Sequence, residues 1–417
     1  MLIIVYKIMS ILFRPFVYLY LSKRIKNNKE DIKRIKERYG YAGVARKSGK
    51  IVWIHGASVG ESLSALSIIH ALEKDASISQ ILLTTGTVSS AKILDNKLTG
   101  KTIHQFLPLD IPSFNKRFLK YWKPNAAIFI ESEIWPNLIT QIKKLDINLA
   151  IINGRMTLSS YKKWLKFKQT SRKLFNNFDL CLTQNKESLF FFDQLGIKDT
   201  RYIGNLKFCT EKFTIDLNLF KQLEEDFKGR KILVAASTHP GEEKIISEIT
   251  KNIRINHPEF ISIIVPRHPN RKHLPSEINS STLAVRSQKD LIDQNTDVYL
   301  ADTFGELGLF YKLADFVFMG GSLVPHGGQN PIEAAYFCKN IFHGKHIENF
   351  LEVYETLNHF SITDIVENQR QLEIKLLNCY SDTKINDEAS LELKIKSEGL
   401  DIIKGTIEQL NNKILNK

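Results

Sequence analysis

DFVFMGGSLVPHGGQNPIEAA, running from Asp315 to Ala335, reads as a short buried strand, a glycine-rich turn, and a helix opened by Asn330-Pro331-Ile332-Glu333. The open backbone amides of such a turn and the helix N-terminus suit a nucleotide phosphate, and Glu333 is placed to hold ribose hydroxyls. Working outward, the same rhythm of apolar run and amphipathic stretch recurs on the N-terminal side. Strands are predicted at 51–54, 80–84, 103–107, 126–130, 147–152 and 179–183, then at 231–236, 260–265, 297–300, 315–319 and 340–343. Repeated strand-helix units imply parallel sheets. A less regular stretch, 203–216, separates the two series. The expected fold class is therefore α/β: two Rossmann-like doubly wound domains, joined near 205–215, facing across a cleft. Ligands of such sheets bind beyond the carboxyl ends of the strands, so chemistry is expected in that cleft.

Composition agrees. A chain of 417 residues exceeds what one core organises. With 43% hydrophobic and 25% charged residues and only 12 prolines, it is not a disordered protein. The net charge of +13 favours anionic partners, but no nucleic-acid module is present, so nucleic acid is not among the expected ones. The four cysteines are widely spaced, and no histidine-carboxylate cluster appears. Neither a disulfide framework nor a metal is expected.

Residues 1–21, MLIIVYKIMSILFRPFVYLYL, are apolar and aromatic enough to enter a bilayer. Lys7 and Arg14, one heptad apart, and Pro15 between the two apolar halves leave an interfacial anchor in competition with a true span. The basic block that follows (Lys23, Arg24, Lys26, Lys29, Lys33, Arg34, Lys36, Arg38) holds the rest of the chain on the cytoplasmic side and suits anionic headgroups.

Candidate chemistry collects at the predicted strand ends. His55-Gly56-Ala57-Ser58-Val59-Gly60-Glu61-Ser62 follows the first strand but is no phosphate loop, because a carboxylate stands where the cation belongs. Glu61 is suited either to take a proton from a sugar hydroxyl or to cap the helix it opens. Glu131-Ser132-Glu133-Ile134-Trp135-Pro136-Asn137 joins carboxylates to an indole, as carbohydrate sites do, and is also compatible with helix capping. Asn153-Gly154-Arg155 and Gly204-Asn205-Leu206-Lys207 lie near the crossover, where Lys207 can oppose a leaving phosphate. The second series contributes ASTHPGEE from Ala236, Pro266-Arg267-His268-Pro269, and Phe304-Gly305-Glu306.

Together these motifs resemble the 3-deoxy-D-manno-octulosonic acid (Kdo) transferases of Gram-negative lipopolysaccharide assembly, glycosyltransferases of the GT-B fold. HGASVGE, ESEIWPN, NGR, GNLKF, ASTHPGEE, PRHP, GEL and GGSLVPHGGQNPIEAA carry the likeness over nearly the whole chain. The resemblance implies transfer of Kdo from CMP-Kdo to a tetra-acylated, phosphorylated glucosamine disaccharide, the lipid A precursor. The reaction would invert the anomeric carbon and need no metal or other cofactor. It implies Glu61 as general base and Glu131 and Lys207 as transition-state stabilisers. Arg267, His268, Phe304, Gly305, Glu306, Asn330, Pro331, Ile332 and Glu333 would bind CMP. The expected division is an anchor at 1–22, an acceptor domain at 23–208, a CMP-sugar domain at 209–390 and a C-terminal helix at 391–417. The expected location is the inner membrane, against its anionic lipids, with the domains on the cytoplasmic side. The competing readings are a nucleotide-sugar epimerase of the same fold and a non-catalytic membrane-bound nucleotide or lipid binder.

Overall fold

The protein is described by a computed structural model covering residues 2–416, apart from 96, 99, 211, 272, 273, 339 and 382–387. The chain forms two compact units, Met1–Thr210 with Gly399–Lys417, and Glu211–Glu398.

The first unit holds a seven-stranded parallel sheet in the order β3-β2-β1-β4-β5-β6-β7. Its strands are β1 (Lys50–His55), β2 (Ile78–Thr85), β3 (Thr102–Phe106), β4 (Ala126–Ile130), β5 (Asn148–Gly154), β6 (Leu180–Thr183) and β7 (Thr200–Tyr202). Every residue of β4 and all but the first of β1 are buried, which is why both read as continuous apolar runs rather than alternating ones. Trp53, Phe118, Trp122, Phe129, Phe175 and Phe192 fill the core under the covering helices. The last residues of the chain close this unit: Ile414 O accepts from Asn148 Nδ2 at 2.8 Å, and Lys413 pairs with Asp199 at 3.0 Å.

The second unit holds another seven-stranded parallel sheet, ordered β10-β11-β9-β8-β12-β13-β14. Its strands are β8 (Lys231–Thr238), β9 (Phe260–Pro266), β10 (Leu283–Val285), β11 (Val298–Leu300), β12 (Phe316–Met319), β13 (Ile341–His343) and β14 (Thr363–Ile365). In both sheets the first strand in sequence lies centrally and the chain reverses direction beside it, between β1 and β4 and between β8 and β12. Loops leaving these strand pairs diverge to opposite faces, which opens a crevice at the carboxyl edge.

Each of the eleven expected strands forms. Three further strands, β7, β10 and β14, were not anticipated. Each has three residues and lies at a sheet edge, too short to show a hydrophobic period. A second correction concerns the helix opened by Asn330-Pro331: it spans only Ile332–Ala335, one turn, so it offers little of the N-terminal dipole expected for phosphate.

The N-terminal segment is one helical rod from Leu2 to Lys26, long and apolar enough to cross a membrane by length and composition. Pro15 is absorbed in a 3₁₀ turn at Arg14–Phe16. One stripe of the rod rests on the first unit. Ile3 packs on the main core, Ser10 Oγ accepts from Asn137 Nδ2 at 2.9 Å, and Val17 and Leu21 are buried against Ile111 and Phe114. The basic block divides by residue type. Its arginines work internally: Arg38 is buried, pairs with Glu30 at 2.8 Å and donates to the carbonyls of Leu107 and Gly86. Arg24 pairs with Glu30 and Arg34 with Glu37. The lysines at 23, 26, 29, 33 and 36 are exposed.

Candidate active site

In the first unit the crevice between β1 and β4 is lined by the two motifs that follow those strands. Ser58 caps the helix Val59–Glu73, its hydroxyl accepting from the Glu61 N–H at 3.3 Å. The Glu61 carboxylate turns back, with Oε2 accepting from the Ala57 N–H and Oε1 from the Ser58 hydroxyl, both at 2.7 Å. This is a variant of the capping box in which the return bond falls on the residue before the cap, and it fixes the carboxylate at the mouth of the strand end. Glu131 follows β4 in a left-handed conformation, φ +59°, which a side chain adopts only when its surroundings hold it there. Burial pushes its carboxyl pKa up. Lys207 opposes the rise most strongly and Arg155 less so, while the charges of Glu61 and Glu133 add to it. Residues from three other motifs, Glu61, Arg155 and Lys207, therefore converge on Glu131.

Lys207 is positioned by two buried asparagines. Asn153, φ +52° within the irregular end of β5, accepts from Leu206 N–H at 3.0 Å, and Asn205 accepts from Lys207 N–H at 3.0 Å. The Nδ2 atoms of both asparagines and the side-chain amide of Gln184 are buried without a hydrogen-bond partner among the described residues. Such groups need water or ligand oxygens as partners. Gln184 was not singled out from sequence, because an isolated glutamine after a strand carries no motif.

The ESEIWPN motif splits. Glu133 does not join the reacting cluster as a free acceptor. Its Oε2 receives the Trp135 indole N–H at 2.8 Å and lies 3.4 Å from Nε2 of the fully buried His55. Burial pushes Glu133 upward, but His55 and Trp135 outweigh it and hold the carboxyl below the usual range. Trp135 packs against the core, so its ring supports the loop rather than lying open to cover a sugar.

In the second unit, four adjacent strands in the order β11-β9-β8-β12 send their loops to one edge. These carry Phe304-Gly305-Glu306, Arg267-His268, Ser237 to Gly241, and Gly320 to Pro331. His239 stacks on His326 with ring centroids 3.7 Å apart, meets His268 edge-on at 6.3 Å, and contacts Gln329 at 3.2 Å. Burial, then His326, His268, Arg267 and Arg271, push its pKa down to about 4. Glu333 is pushed up to about 7 by burial against the pull of Arg267. A neutral imidazole, a carboxyl near neutrality and a guanidinium suit a ligand that carries both hydroxyls and an anion.

The amides expected to bind phosphate are partly committed elsewhere. Glu242, fully buried, accepts from His239 N–H at 2.9 Å, Gly321 N–H at 2.7 Å, and the Ser322 and Leu323 N–H groups at 3.1 Å each. The first half of the glycine-rich turn is thus tied to the β8 loop. The amides of Gln329 and Asn330 have no backbone partner among the described residues. Pro331 and Ile332 are buried, so their side chains are not open to a ligand. Glu306 is held by Arg286 at 2.7 Å and by the Thr303 hydroxyl, so it shapes its loop. Phe304 at that loop's tip is 73% exposed. Arg286 and Glu242 were not recognised as partners from sequence, since each acts on residues far along the chain.

The fold and the two crevices define a GT-B glycosyltransferase. A solved glycosyltransferase from Rickettsia africae has the same fold, with a TM-score of 0.61 over 88% of this chain and 99% of that one at 11% identity. The family model described as 3-deoxy-D-manno-octulosonic-acid transferase matches residues 33–210. The 3-deoxy-D-manno-octulosonic acid transferase of Rickettsia bellii is 38% identical over 342 residues, 81% of each chain, and that of Haemophilus influenzae is 31% identical over 84% of each. The chain belongs to the 3-deoxy-D-manno-octulosonic acid transferase family, which sets the epimerase reading aside.

Proposed function

We propose that this enzyme transfers Kdo from CMP-Kdo to the glucosamine disaccharide of a tetra-acylated lipid A precursor, with inversion and without a metal, at the cytoplasmic face of the inner membrane. The observation that carries the proposal is the meeting of Glu61, Glu131 and Lys207, from three distant motifs, at the β1/β4 crevice. In this reading Glu61 accepts the proton of the acceptor hydroxyl as its oxygen forms the bond to the anomeric carbon. The bond to the CMP phosphate breaks, and its electron pair leaves with CMP. Lys207 opposes the negative charge of the donor, and Glu131, whose proton affinity burial raises, stabilises the electron-poor sugar. Arg267, His268 and the Gln329–Asn330 amides face the CMP phosphate, with Glu333 on the ribose and Phe304 to Glu306 beside the nucleotide. The anionic lipids of the inner membrane would meet the exposed lysines between Lys23 and Lys36.

The test is incubation of detergent-solubilised protein with CMP-Kdo and tetra-acylated lipid A precursor in EDTA, with mass spectrometry of the lipid. Stepwise gain of Kdo supports the reaction and its metal independence. No gain by a folded, CMP-binding protein rejects the acceptor. Because Glu61 also caps a helix, Glu61→Gln separates its two roles. A cap alone predicts a stability loss of about 1 kcal/mol with turnover kept. A base predicts turnover down by roughly 10²–10⁴ with CMP-Kdo binding retained.

A further inference from the structure

Beside the N-terminal rod, the first unit carries a groove of about 420 Å³ that has no part in the chemistry above. Ile3 of the rod, Pro112 and Leu145 give it apolar walls, and Lys7, Lys116 and Lys144 stand around it. The lysines come from three different elements: the rod, the helix Pro112–Trp122 and the helix Pro136–Lys144. All three are exposed, none has an ion-pair partner among the described residues, and no acidic side chain lines the groove. Ile3, Lys7 and Ser10 share one helical stripe, so Lys7 interrupts the apolar segment on the side that meets the body. The outer stripe stays apolar, with Ile4, Ile8, Met9, Leu12 and Leu19 exposed.

We propose that this groove binds one anionic phospholipid of the surrounding leaflet, with an acyl chain against Ile3, Pro112 and Leu145 and the phosphate among the three lysines. Cations gathered round an apolar wall match a ligand with an anionic head and a hydrocarbon tail, and the exposed apolar stripe of the rod brings the groove to bilayer lipid. The groove runs along the helix Pro136–Lys144 from Asn137 in its first turn to Lys144 and Leu145 at its end, and its far end favours a leaflet lipid over the sugar acceptor. The helix Pro136–Lys144 starts at the carboxyl edge of the sheet, near Glu131, and runs away from it. Lys144 therefore lies about 12 Å from the start of that helix, by its rise per residue.

The experiment uses the full chain in mild detergent, titrated with short-chain phosphatidylglycerol or phosphatidylcholine and read by native mass spectrometry. One phosphatidylglycerol should be retained per protein in preference to phosphatidylcholine. Each lysine near an anionic headgroup contributes on the order of fivefold, so replacing Lys7, Lys116 and Lys144 together with Gln should weaken retention by on the order of 100-fold. Leu145→Trp, which fills the groove without changing charge, should weaken retention of both lipids. Lys23→Gln with Lys26→Gln should lower vesicle binding but leave the single retained lipid. Equal retention of the two lipids, or retention unchanged in the triple variant, overturns the proposal. So does displacement of phosphatidylglycerol by lipid A precursor with a matching rise of acceptor KM in the triple variant, since the groove would then belong to the acceptor. Thermal melting checks that the variants are folded.

Discussion

Removing the carboxylate of Glu242 should loosen the glycine-rich turn before it unfolds anything else. Four backbone N–H groups converge on this one side chain, Ser322 and Leu323 on Oε1 and His239 and Gly321 on Oε2. A buried donor left without a partner costs roughly 1–3 kcal/mol, so Glu242→Ala strands donors worth about 4–12 kcal/mol before relaxation and water entry. A net loss of about 4 kcal/mol is expected. Glu242→Gln preserves volume and keeps one oxygen for two donors, but sets an amide NH₂ against the other two, for a loss of about 2–4 kcal/mol. Hydrogen exchange read at Gly321, Ser322 and Leu323 is the direct assay. Protection there should fall in both variants, together with at least a tenfold weaker CMP affinity, while amides of β1 and β4 are unaffected. Unchanged protection at these three amides in Glu242→Gln would refute the argument.

Gly320→Ala should be among the most damaging single-methyl additions, because its Cβ would stand 2.4 Å from Ser237 O and 2.6 Å from Thr238 Cα, both backbone. Soluble yield and melting temperature should fall sharply, and wild-type melting would contradict the close approach of β12 to β8. Arg38→Ala removes one of the two arginines on the buried Glu30 carboxylate, Arg24 staying on the other oxygen, and strands two carbonyls, so a loss of about 2–4 kcal/mol is expected by thermal or chemical denaturation. Two groups give stability opposite slopes with pH. Glu333, an acid raised to about 7, binds more protons folded than unfolded, so its contribution is full below the unfolded value near 4.5 and is lost as pH rises through 7. His239, lowered to about 4, contributes fully above 6.5 and loses that contribution as pH falls through 4. The Glu333 span is on the order of 3 kcal/mol and that of His239 is smaller because solvent screens its ring, and Glu333→Gln should flatten the upper slope alone in melts recorded from pH 4 to 8.

The long central strands were legible in the sequence because burial on both faces writes an unbroken apolar run. β1, β4, β8 and β12 follow, while the strand order, with the two reversals that place the crevices, comes from the tertiary structure. Glu61 and Glu131 were each visible at a strand end and Lys207 in a motif near the crossover, and a parallel sheet delivers its loops to one edge whatever their spacing along the chain. The amphipathic N-terminus and its basic flank were likewise plain from composition.

Only the tertiary structure could decide which of these polar groups are committed. Glu133 and Trp135 look like sugar-binding residues in a linear motif, yet His55 from a neighbouring strand engages the carboxylate and the core takes the ring. The amides of Gly321 to Leu323 look open until Glu242, about eighty residues earlier, accepts them. Arginine and lysine read alike in the basic block, but the arginines are drawn inward by Glu30 and Glu37 while the lysines remain in solvent. A hydrophobic pattern is set by neighbours three or four positions away and is therefore written locally. A hydrogen bond to a buried carboxylate is set by whichever segment the fold brings within about 3 Å, and no local stretch of sequence records it.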